Sequence, residues 1–267
     1  MNKKQKEVIA ELKNLSKKLG HSPTRREDLF LAKKCYGLFN SFNKAKEVAG
    51  LEIKNKRVTS FPKEAFELDK NLVIIIAFLT ADGHLCKDLK GFYFSSRDIK
   101  FLEYLARIVD IKFGLKGRYS KGQAYGKSYK YRVFNKKITL FLKTKGAPAG
   151  DKMLIPFDVP EWIKTNKEFS KEYLKILFYC EGSKYKHSKN TEAIKINFNK
   201  AERLLKDCIN FMNSLKDMLR IFEIETTNIW IMKGNLRKKD WETTKTIVFK
   251  LKSNSVNRFI KEIGWLK

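Results

Sequence analysis

The stretch of sequence that decides the fold is residues 72–83, LVIIIAFLTADG, which is apolar at almost every position and then ends in Asp82 and Gly83. A helix that is apolar on every side has to be buried on every side. A second stretch, residues 174–182, LKILFYCEG, also ends in an acid followed by glycine. Because each helix needs an apolar partner, we expect the two to pack against each other. The glycine after each acid is expected to cap the helix.

The two acids are poorly placed if stability alone is considered. A carboxylate in the last turn faces the negative end of the helix dipole, at a cost of about 0.3–1 kcal/mol. Packed helices would also bring Asp82 and Glu181 close together, where like charges repel. One such acid is most simply an exposed residue at a helix end. The same arrangement twice predicts a shared cation, and hard oxygen ligands of this kind suit Mg²⁺.

A segment rich in proline and glycine, residues 146–160, separates two halves of the chain and reads as a linker. Each half has the same order of predicted elements: a helix, two strands, a helix, two strands and a last helix. The first helices are expected at residues 62–81 and 170–180. A repeat of about 100 residues indicates an old duplication folded around a pseudo-twofold axis.

Residues 1–56 are predicted to form a small all-α module of three short helices. Gly20 ends the first helix, Thr24 is the expected N-cap of the second, and the third covers residues 41–49. Residues 1–60 contain fifteen basic and six acidic side chains, which favours a DNA-binding unit over an ordinary solvated hairpin. Arg25 and Arg26 are its candidate contacts. The predicted domains are therefore residues 1–56, 57–155 and 156–267.

The whole chain is strongly basic, with 57 Lys and Arg against 29 Asp and Glu and a formal charge of +28. A polyanionic partner is the usual reason for such an excess, so we favour nucleic-acid binding over a merely soluble basic protein. The longest apolar run, residues 72–79, is far shorter than the roughly 20 residues that cross a bilayer. Without a signal peptide pattern, we expect a cytoplasmic protein with no membrane association. The four scattered cysteines predict neither disulfides nor a zinc ribbon.

Two basic hairpins are the predicted DNA-binding elements. Residues 112–145 contain eleven basic and no acidic side chains, and glycines mark the turns of a two-stranded ribbon that could enter a major groove. Strand alternation puts basic side chains on one face and tyrosines on the other, where they would pack on helices. The expected contacts are Arg118, Ser120, Lys121, Lys127, Ser128, Lys130 and Arg132 in the first half, and Lys195, Asn197, Lys233, Arg237, Lys238 and Lys239 in the second.

The two acid-glycine helices resemble the paired motifs of the LAGLIDADG homing endonucleases, in the single-chain form with both halves fused. Residues 146–163, GAPAGDKMLIPFDVPEWI, are similar to the linker of that family. Residues 1–56, with LGHSPTRREDL and FNSFNKAKEVAGL, resemble the homing-endonuclease-associated repeat. The chain departs from the motif at Thr80 and Tyr179, where the family has aspartate, and at Ile176, where it has a small residue.

This resemblance implies an α+β fold. It consists of two pseudo-twofold-related αββαββα units with saddle-shaped antiparallel sheets, plus a small all-α N-terminal module. Asp82 and Glu181 would bind metal, with the backbone carbonyls of Gly83 and Gly182 or their neighbours as further ligands. Lys152 matches the linker lysine near the active site of the family, and Lys184 matches an active-site lysine of some archaeal members.

The function implied by the resemblance is site-specific hydrolysis of double-stranded DNA with Mg²⁺, or Mn²⁺ as a substitute. The enzyme would be a monomer with no obligate protein partner. Two alternatives stay open: a catalytically silent DNA-binding regulator, and a maturase that binds intron RNA. Retention of both acids argues against the regulator. Splice-junction residues of an intein are absent, so we expect a free-standing protein.

Overall fold

The computed structural model describes residues 1–53, 60–122, 128–188 and 191–266. The chain divides into two compact units, Met1–Ser60 and Phe61–Lys267. Each unit has its own hydrophobic core. Among the described residues, no helix has the length and apolar character that a bilayer crossing requires.

The N-terminal unit consists of three helices, α1 (Lys3–Leu19), α2 (Leu29–Phe39) and α3 (Phe42–Val48). Helix α1 ends at Gly20 in the left-handed conformation, as predicted. The predicted N-cap of α2 was wrong, because the carboxylate of Asp28 accepts a hydrogen bond from the Leu31 N–H at 2.8 Å. Thr24 instead closes a separate turn, its carbonyl accepting from the Glu27 N–H at 3.3 Å.

The first half of the second unit begins with a 3₁₀ turn at Lys63–Phe66, so the helix predicted for residues 62–81 starts later than expected. Asp69 caps that helix, accepting from the Leu72 N–H at 2.8 Å. The elements that follow are α4 (Lys70–Thr80), β1 (His84–Leu85), β2 (Phe92–Ser96), α5 (Ile99–Phe113), β3 (Arg118–Lys121), β4 (Tyr129–Val133) and α6 (Lys136–Thr144).

The second half repeats this order after a short helix. Its elements are α7 (Glu161–Lys164), α8 (Lys167–Glu181), β5 (Gly182–Ser188), β6 (Thr191–Ala201), α9 (Leu205–Arg220), β7 (Trp230–Leu236), β8 (Thr243–Lys250) and α10 (Val256–Glu262). The two antiparallel sheets have equivalent strand orders, β1-β2-β4-β3 and β5-β6-β8-β7. The predicted fold class, α+β with two αββαββα units, is confirmed.

Helices α4 and α8 pack against each other at the centre of the core, as their sequences predicted. Every residue of α4 from Leu72 to Thr80 is buried. Ile176 of α8, which replaces the small residue of the family motif, is also buried. The packing of these two helices brings their C-terminal ends, and the acids there, into the same region of the molecule.

Each sheet turns one apolar face to the helices. In the first sheet Phe92, Phe94, Tyr131 and Val133 are buried. In the second sheet Ile194, Ile196 and Phe198 are buried along β6. Because side chains alternate along a strand, the residues between these positions lie on the opposite, outer face of each sheet.

Candidate functional site

The acid-glycine pairs form tight turns at the ends of α4 and α8. The Gly83 N–H donates to the Phe78 carbonyl at 2.7 Å, and the Gly182 N–H donates to the Phe178 carbonyl. A Cβ atom at either glycine would collide with that same carbonyl oxygen. Neither glycine has a positive φ. Glycine is therefore required because the chain passes close to the last helical turn. Gly182 is the C-cap of α8, as predicted, whereas the C-cap of α4 is Ala81.

Lys152 of the linker binds the C-terminal end of α4. Its ammonium donates hydrogen bonds to the carbonyls of Leu79 at 3.2 Å, Ala81, and Gly83 at 2.8 Å. Burial lowers the pKa of Lys152, whereas the nearby carboxylates of Glu181 and Asp82 act to raise it. Three of the four predicted catalytic side chains, Asp82, Glu181 and Lys152, are therefore close together.

The donors available for a metal ion are two carboxylates and backbone oxygens. Among the described residues, no group of three or more His, Cys, Asp or Glu side chains could hold a metal. An all-oxygen set with only two carboxylates fits Mg²⁺, which usually keeps several of its waters. The Gly83 carbonyl, one of the predicted ligands, already accepts from Lys152 but has a second lone pair.

Lys184, the fourth predicted catalytic residue, takes part in an ion pair across the second sheet. Its ammonium lies 2.8 Å from the Glu192 carboxylate. It stands opposite Ile194 in the β5–β6 ladder, and Glu192 stands opposite Lys186. A carboxylate on the adjacent strand therefore engages this ammonium.

Both sheets hold the linker around Lys152. The Gly150 N–H donates to the Leu85 carbonyl of the first sheet at 2.8 Å, and the Ala201 N–H donates to the Met153 carbonyl at 3.0 Å. These two hydrogen bonds fix the backbone on either side of Lys152, so that its side chain can reach the end of α4.

Lys200 also holds the linker in place, although it is not among the site residues predicted from the sequence. It is only 2 % exposed, its ammonium donates to the Lys152 carbonyl at 2.6 Å, and it lies 3.7 Å from the centre of the Phe157 ring. Burial lowers its pKa to about 8. A signal was present in the sequence, because Lys200 is in phase with the apolar residues Ile196 and Phe198 along β6.

Replacing Lys200 with methionine is predicted to flatten the pH dependence of stability. Between about pH 8 and the ordinary lysine value near 10.5, the unfolded chain binds the proton that the folded state releases. The contribution of Lys200 to stability therefore rises with pH in this window, on the order of 2–3 kcal/mol. Denaturant unfolding of wild type and Lys200→Met from pH 7 to 10.5 measures the difference. Parallel curves would contradict the assignment.

The outer face of the first sheet carries the predicted basic cluster. The β3–β4 register sets Arg118 opposite Arg132 and Ser120 opposite Lys130. The Lys130 ammonium lies 5.0 Å, and the Arg132 guanidinium 5.6 Å, from the centre of the Tyr93 ring. The His84 ring stacks on Tyr93 at a centroid distance of 5.0 Å. This face therefore presents a compact group of cations and rings.

The same register separates Lys121 from that cluster. Lys121 stands opposite Tyr129, and so lies on the face of the buried Tyr131. The sequence predicts Lys121 as a DNA contact, but the alternation of β3 places it on the opposite face from Arg118 and Ser120. Ser128 is at the end of the hairpin turn, where its carbonyl accepts from the Gly122 N–H at 2.7 Å. Lys127 lies outside the described residues.

The outer face of the second sheet has a similar arrangement. Lys195 and Lys250 approach the Tyr185 ring at 5.6 and 5.8 Å. Asn197 lies on the same face by alternation. Lys233 does not, because it pairs with Lys245 on the face of the buried Ile247.

The β7–β8 turn holds the last three predicted DNA contacts, and one differs from expectation. Lys238 and Lys239 are exposed. The guanidinium of Arg237, in contrast, lies 2.6 Å from the Asp151 carboxylate and 3.1 Å from that of Asp240. Arg237 is thereby tied to the residue next to Lys152 instead of standing free for DNA.

In the N-terminal unit, the two predicted arginines are exposed. The guanidinium of Arg25 donates to the Tyr36 hydroxyl at 2.6 Å. Arg26 is the next residue in the same turn. Both side chains are therefore accessible on the surface of this unit.

Comparison with known proteins agrees with the N-terminal prediction. Residues 3–52 match the family model described as the homing endonuclease associated repeat, so this part of the resemblance is confirmed. The chain is 29 % identical over 212 residues to the tRNA-splicing ligase RtcB of Methanopyrus kandleri, covering 73 % of this chain and 20 % of that protein. It is 31 % identical over 168 residues to the replication factor C small subunit of Methanocaldococcus jannaschii, covering 57 % and 9 %. The chain thus spans a fifth or less of the length of these relatives.

A solved structure of I-DmoI in complex with its target DNA, in the presence of Mn, is also similar. Its TM-score is 0.47 at 11 % identity, over 76 % of this chain and 97 % of that one. I-DmoI is a homing endonuclease. From the family-model match and its own topology, this chain contains a homing endonuclease associated repeat at residues 3–52, followed by the two αββαββα units that its resemblance to the LAGLIDADG homing endonucleases implies.

Proposed function

We propose that this protein is a metal-dependent endonuclease that cuts double-stranded DNA at a long, specific site. The observation that carries the proposal is the packing of α4 against α8, whose ends carry Asp82 and Glu181, one from each half, with the Lys152 ammonium bound to the two carbonyls that flank Asp82. One carboxylate per half provides one acid for each strand of a duplex. Because a single chain supplies both halves, we propose that it acts as a monomer.

The proposed chemistry is hydrolysis of a phosphodiester bond. Bound Mg²⁺, or Mn²⁺ in its place, would activate water and neutralise charge on the phosphate. Asp82 and Glu181 would hold the cation at the paired helix ends. Lys152 has three N–H donors and directs them at three backbone carbonyls. It would therefore act on the phosphate through its fixed positive charge rather than by donating a hydrogen bond.

The proposed DNA-binding surface is the outer face of both sheets. Arg118, Lys130 and Arg132 line it in the first half, and Lys195, Asn197 and Lys250 in the second. Cations of this kind bind phosphates with no sequence information, whereas polar side chains between them can read base edges. Arg25 and Arg26 are the proposed DNA contacts of the N-terminal unit.

The similar proteins support a self-contained module that recurs in them, rather than an activity that this chain shares with the whole of each protein. A tRNA-splicing ligase and a replication factor subunit have unrelated functions by name, yet each matches this chain over only a small part of its own length. What they have in common with this chain is one segment. We therefore propose neither RNA ligation nor a replication role.

The test is incubation of the pure protein with a randomised double-stranded DNA library, in Mg²⁺, in Mn²⁺ and in EDTA, with sequencing of the cut ends. We expect discrete cuts that require the cation and share a long site. The double variant Asp82→Asn/Glu181→Gln is the matched control and should produce none. A regulator would select a site without cutting it. A maturase would bind structured RNA in a parallel binding assay and leave DNA intact.

Two lysines of one hairpin provide a matched test of the DNA-binding face. Lys130 lies on the proposed face, and Lys121 lies on the other. We expect Lys130→Ala to weaken DNA binding and to reduce the slope of log affinity against log salt by about 0.9, the value for one lost phosphate contact. Lys121→Ala should leave both unchanged. Fluorescence anisotropy across a salt series measures the slope, and equal effects of the two variants would contradict the assigned face.

A further inference from the structure

Trp241, in the turn between β7 and β8, is the most exposed large apolar side chain among the described residues, at 73 %. Its backbone has a φ of 59°, the left-handed region that bulky side chains rarely adopt. A strained conformation of this kind persists only where the surrounding structure enforces it, and such positions cluster at functional sites. The turn thus presents a large ring to solvent at a cost in backbone energy.

The turn is held firmly from several sides. The Trp241 N–H donates to the Arg237 carbonyl at 2.8 Å, and the Arg237 N–H donates to the Glu242 carbonyl at 3.0 Å. The Arg237 guanidinium binds Asp151 of the linker and Asp240 of the turn itself. The Arg203 guanidinium lies 3.1 Å from the Glu242 carboxylate. The backbone is therefore anchored, whereas most of the indole surface faces solvent.

The turn also lies near the candidate catalytic site. Arg237 contacts Asp151, the residue immediately before Lys152. Lys238 and Lys239 follow Arg237 in the same turn and are exposed. The turn is thus held against the linker that carries Lys152, and it provides two cations of its own.

We propose that Trp241 is a DNA-contacting residue whose indole inserts against the bases of a bound duplex next to the cleavage site. The inference rests on the proposed function. A phosphate contact needs only a cation, and the turn already provides Lys238 and Lys239. An exposed, rigidly mounted ring flanked by cations is suited to stack on a base or to wedge open a base step.

Two substitutions distinguish a role of the Trp241 ring in DNA binding from a role in folding. Glycine adopts a positive φ without strain, so Trp241→Gly should leave the melting temperature unchanged or raise it. Trp241→Phe keeps an aromatic ring. Ile111→Ala is the matched control, because Ile111 is 59 % exposed on α5, a helix of the layer behind the first sheet.

Binding of a fluorescein-labelled mixed-sequence duplex in EDTA is the first measurement. We expect Trp241→Gly to weaken binding about 5- to 100-fold, the range for loss of one stacked base, with Trp241→Phe and Ile111→Ala close to wild type. A duplex with a central mismatch, which costs less to unstack, should bind wild type more tightly but not Trp241→Gly.

Tryptophan emission is the second measurement. DNA should quench a component of wild-type emission that Trp241→Phe lacks, since stacking on a base quenches the indole. If wild type binds DNA while Trp241→Gly binds equally well and quenching survives in Trp241→Phe, the inference is overturned and the proposed function stands. If wild type binds neither duplex, both are overturned. Loss of fold in Trp241→Gly would also contradict the inference, because the ring would then be structural.

Discussion

Asp82→Asn and Glu181→Gln are each expected to bind DNA like wild type and to cut it at least about a hundredfold more slowly. Removing a single group that stabilises charge in a transition state typically costs 10²–10³ in rate, and a cation ligand lost from a two-carboxylate site should cost no less. Single-turnover cleavage of the selected site, with binding measured separately in EDTA, separates chemistry from affinity.

These substitutions should change stability little, which keeps the result interpretable. Each removes a carboxylate from the unfavourable end of a helix dipole, a gain of about 0.3–1 kcal/mol. Each also removes one of two negative charges beside the Lys152 ammonium, which acts in the opposite direction. Glu168→Gln is the matched control, because Glu168 is an acid in the first turn of α8, at the other end of the helix from Glu181. Equal loss of cutting in Glu168→Gln, or normal cutting by both acid variants, would remove the assigned site.

The architecture could be predicted because its signals are local and repeated. Apolar residues on every side of α4 required a buried partner, and the acid-glycine ending recurred in α8. Strand alternation also predicted correctly that Lys130 and Arg132 share one face of β4 while Tyr131 lies on the other. In each case a few neighbouring residues contain the information, since periodicity follows from backbone geometry.

What the sequence could not indicate is an environment that comes from distant parts of the chain. Arg237 meets Asp151, which lies 86 residues away, and no local pattern at the β7–β8 turn indicates that pair. Lys121 and Lys233 are one residue out of phase with the outer faces of their sheets, and a shift of one residue reverses the face. Charge density alone predicted a basic hairpin but could not predict which cations are already paired.

The contacts that hold the linker in place also join residues that are distant in the sequence. Lys200 lies in β6 and Arg237 in the β7–β8 turn, and both fix the short segment that carries Lys152. The Lys200 ammonium binds the Lys152 carbonyl, and the Arg237 guanidinium binds the Asp151 carboxylate. Neither needs to touch DNA to matter for activity. They fix the backbone from which the Lys152 ammonium reaches the Gly83 carbonyl at the end of α4, in the first half.

Lys152→Met is expected to abolish cutting and to lower the free energy of unfolding by about 3 kcal/mol, the cost of removing one partner from a buried charged group. Three carbonyls at the end of α4 would lose their donor, and Asp82 and Glu181 would face each other without the ammonium. Cleavage assays and denaturant unfolding in EDTA measure the two losses.

Added Mg²⁺ should then raise the melting temperature of Lys152→Met more than that of wild type. In the variant the cation replaces the lost ammonium beside the two carboxylates, and binding to the folded state stabilises it by mass action. Introducing Asp82→Asn into Lys152→Met should remove most of this added response, because the carboxylate pair would be gone. Lys152→Arg keeps the charge, but its planar guanidinium cannot direct three donors in the same way, so stability should recover more fully than cutting. If Mg²⁺ did not stabilise Lys152→Met, or stabilised it equally after Asp82→Asn is introduced, the two carboxylates would not form a shared cation site, and the catalytic assignment would have to move elsewhere.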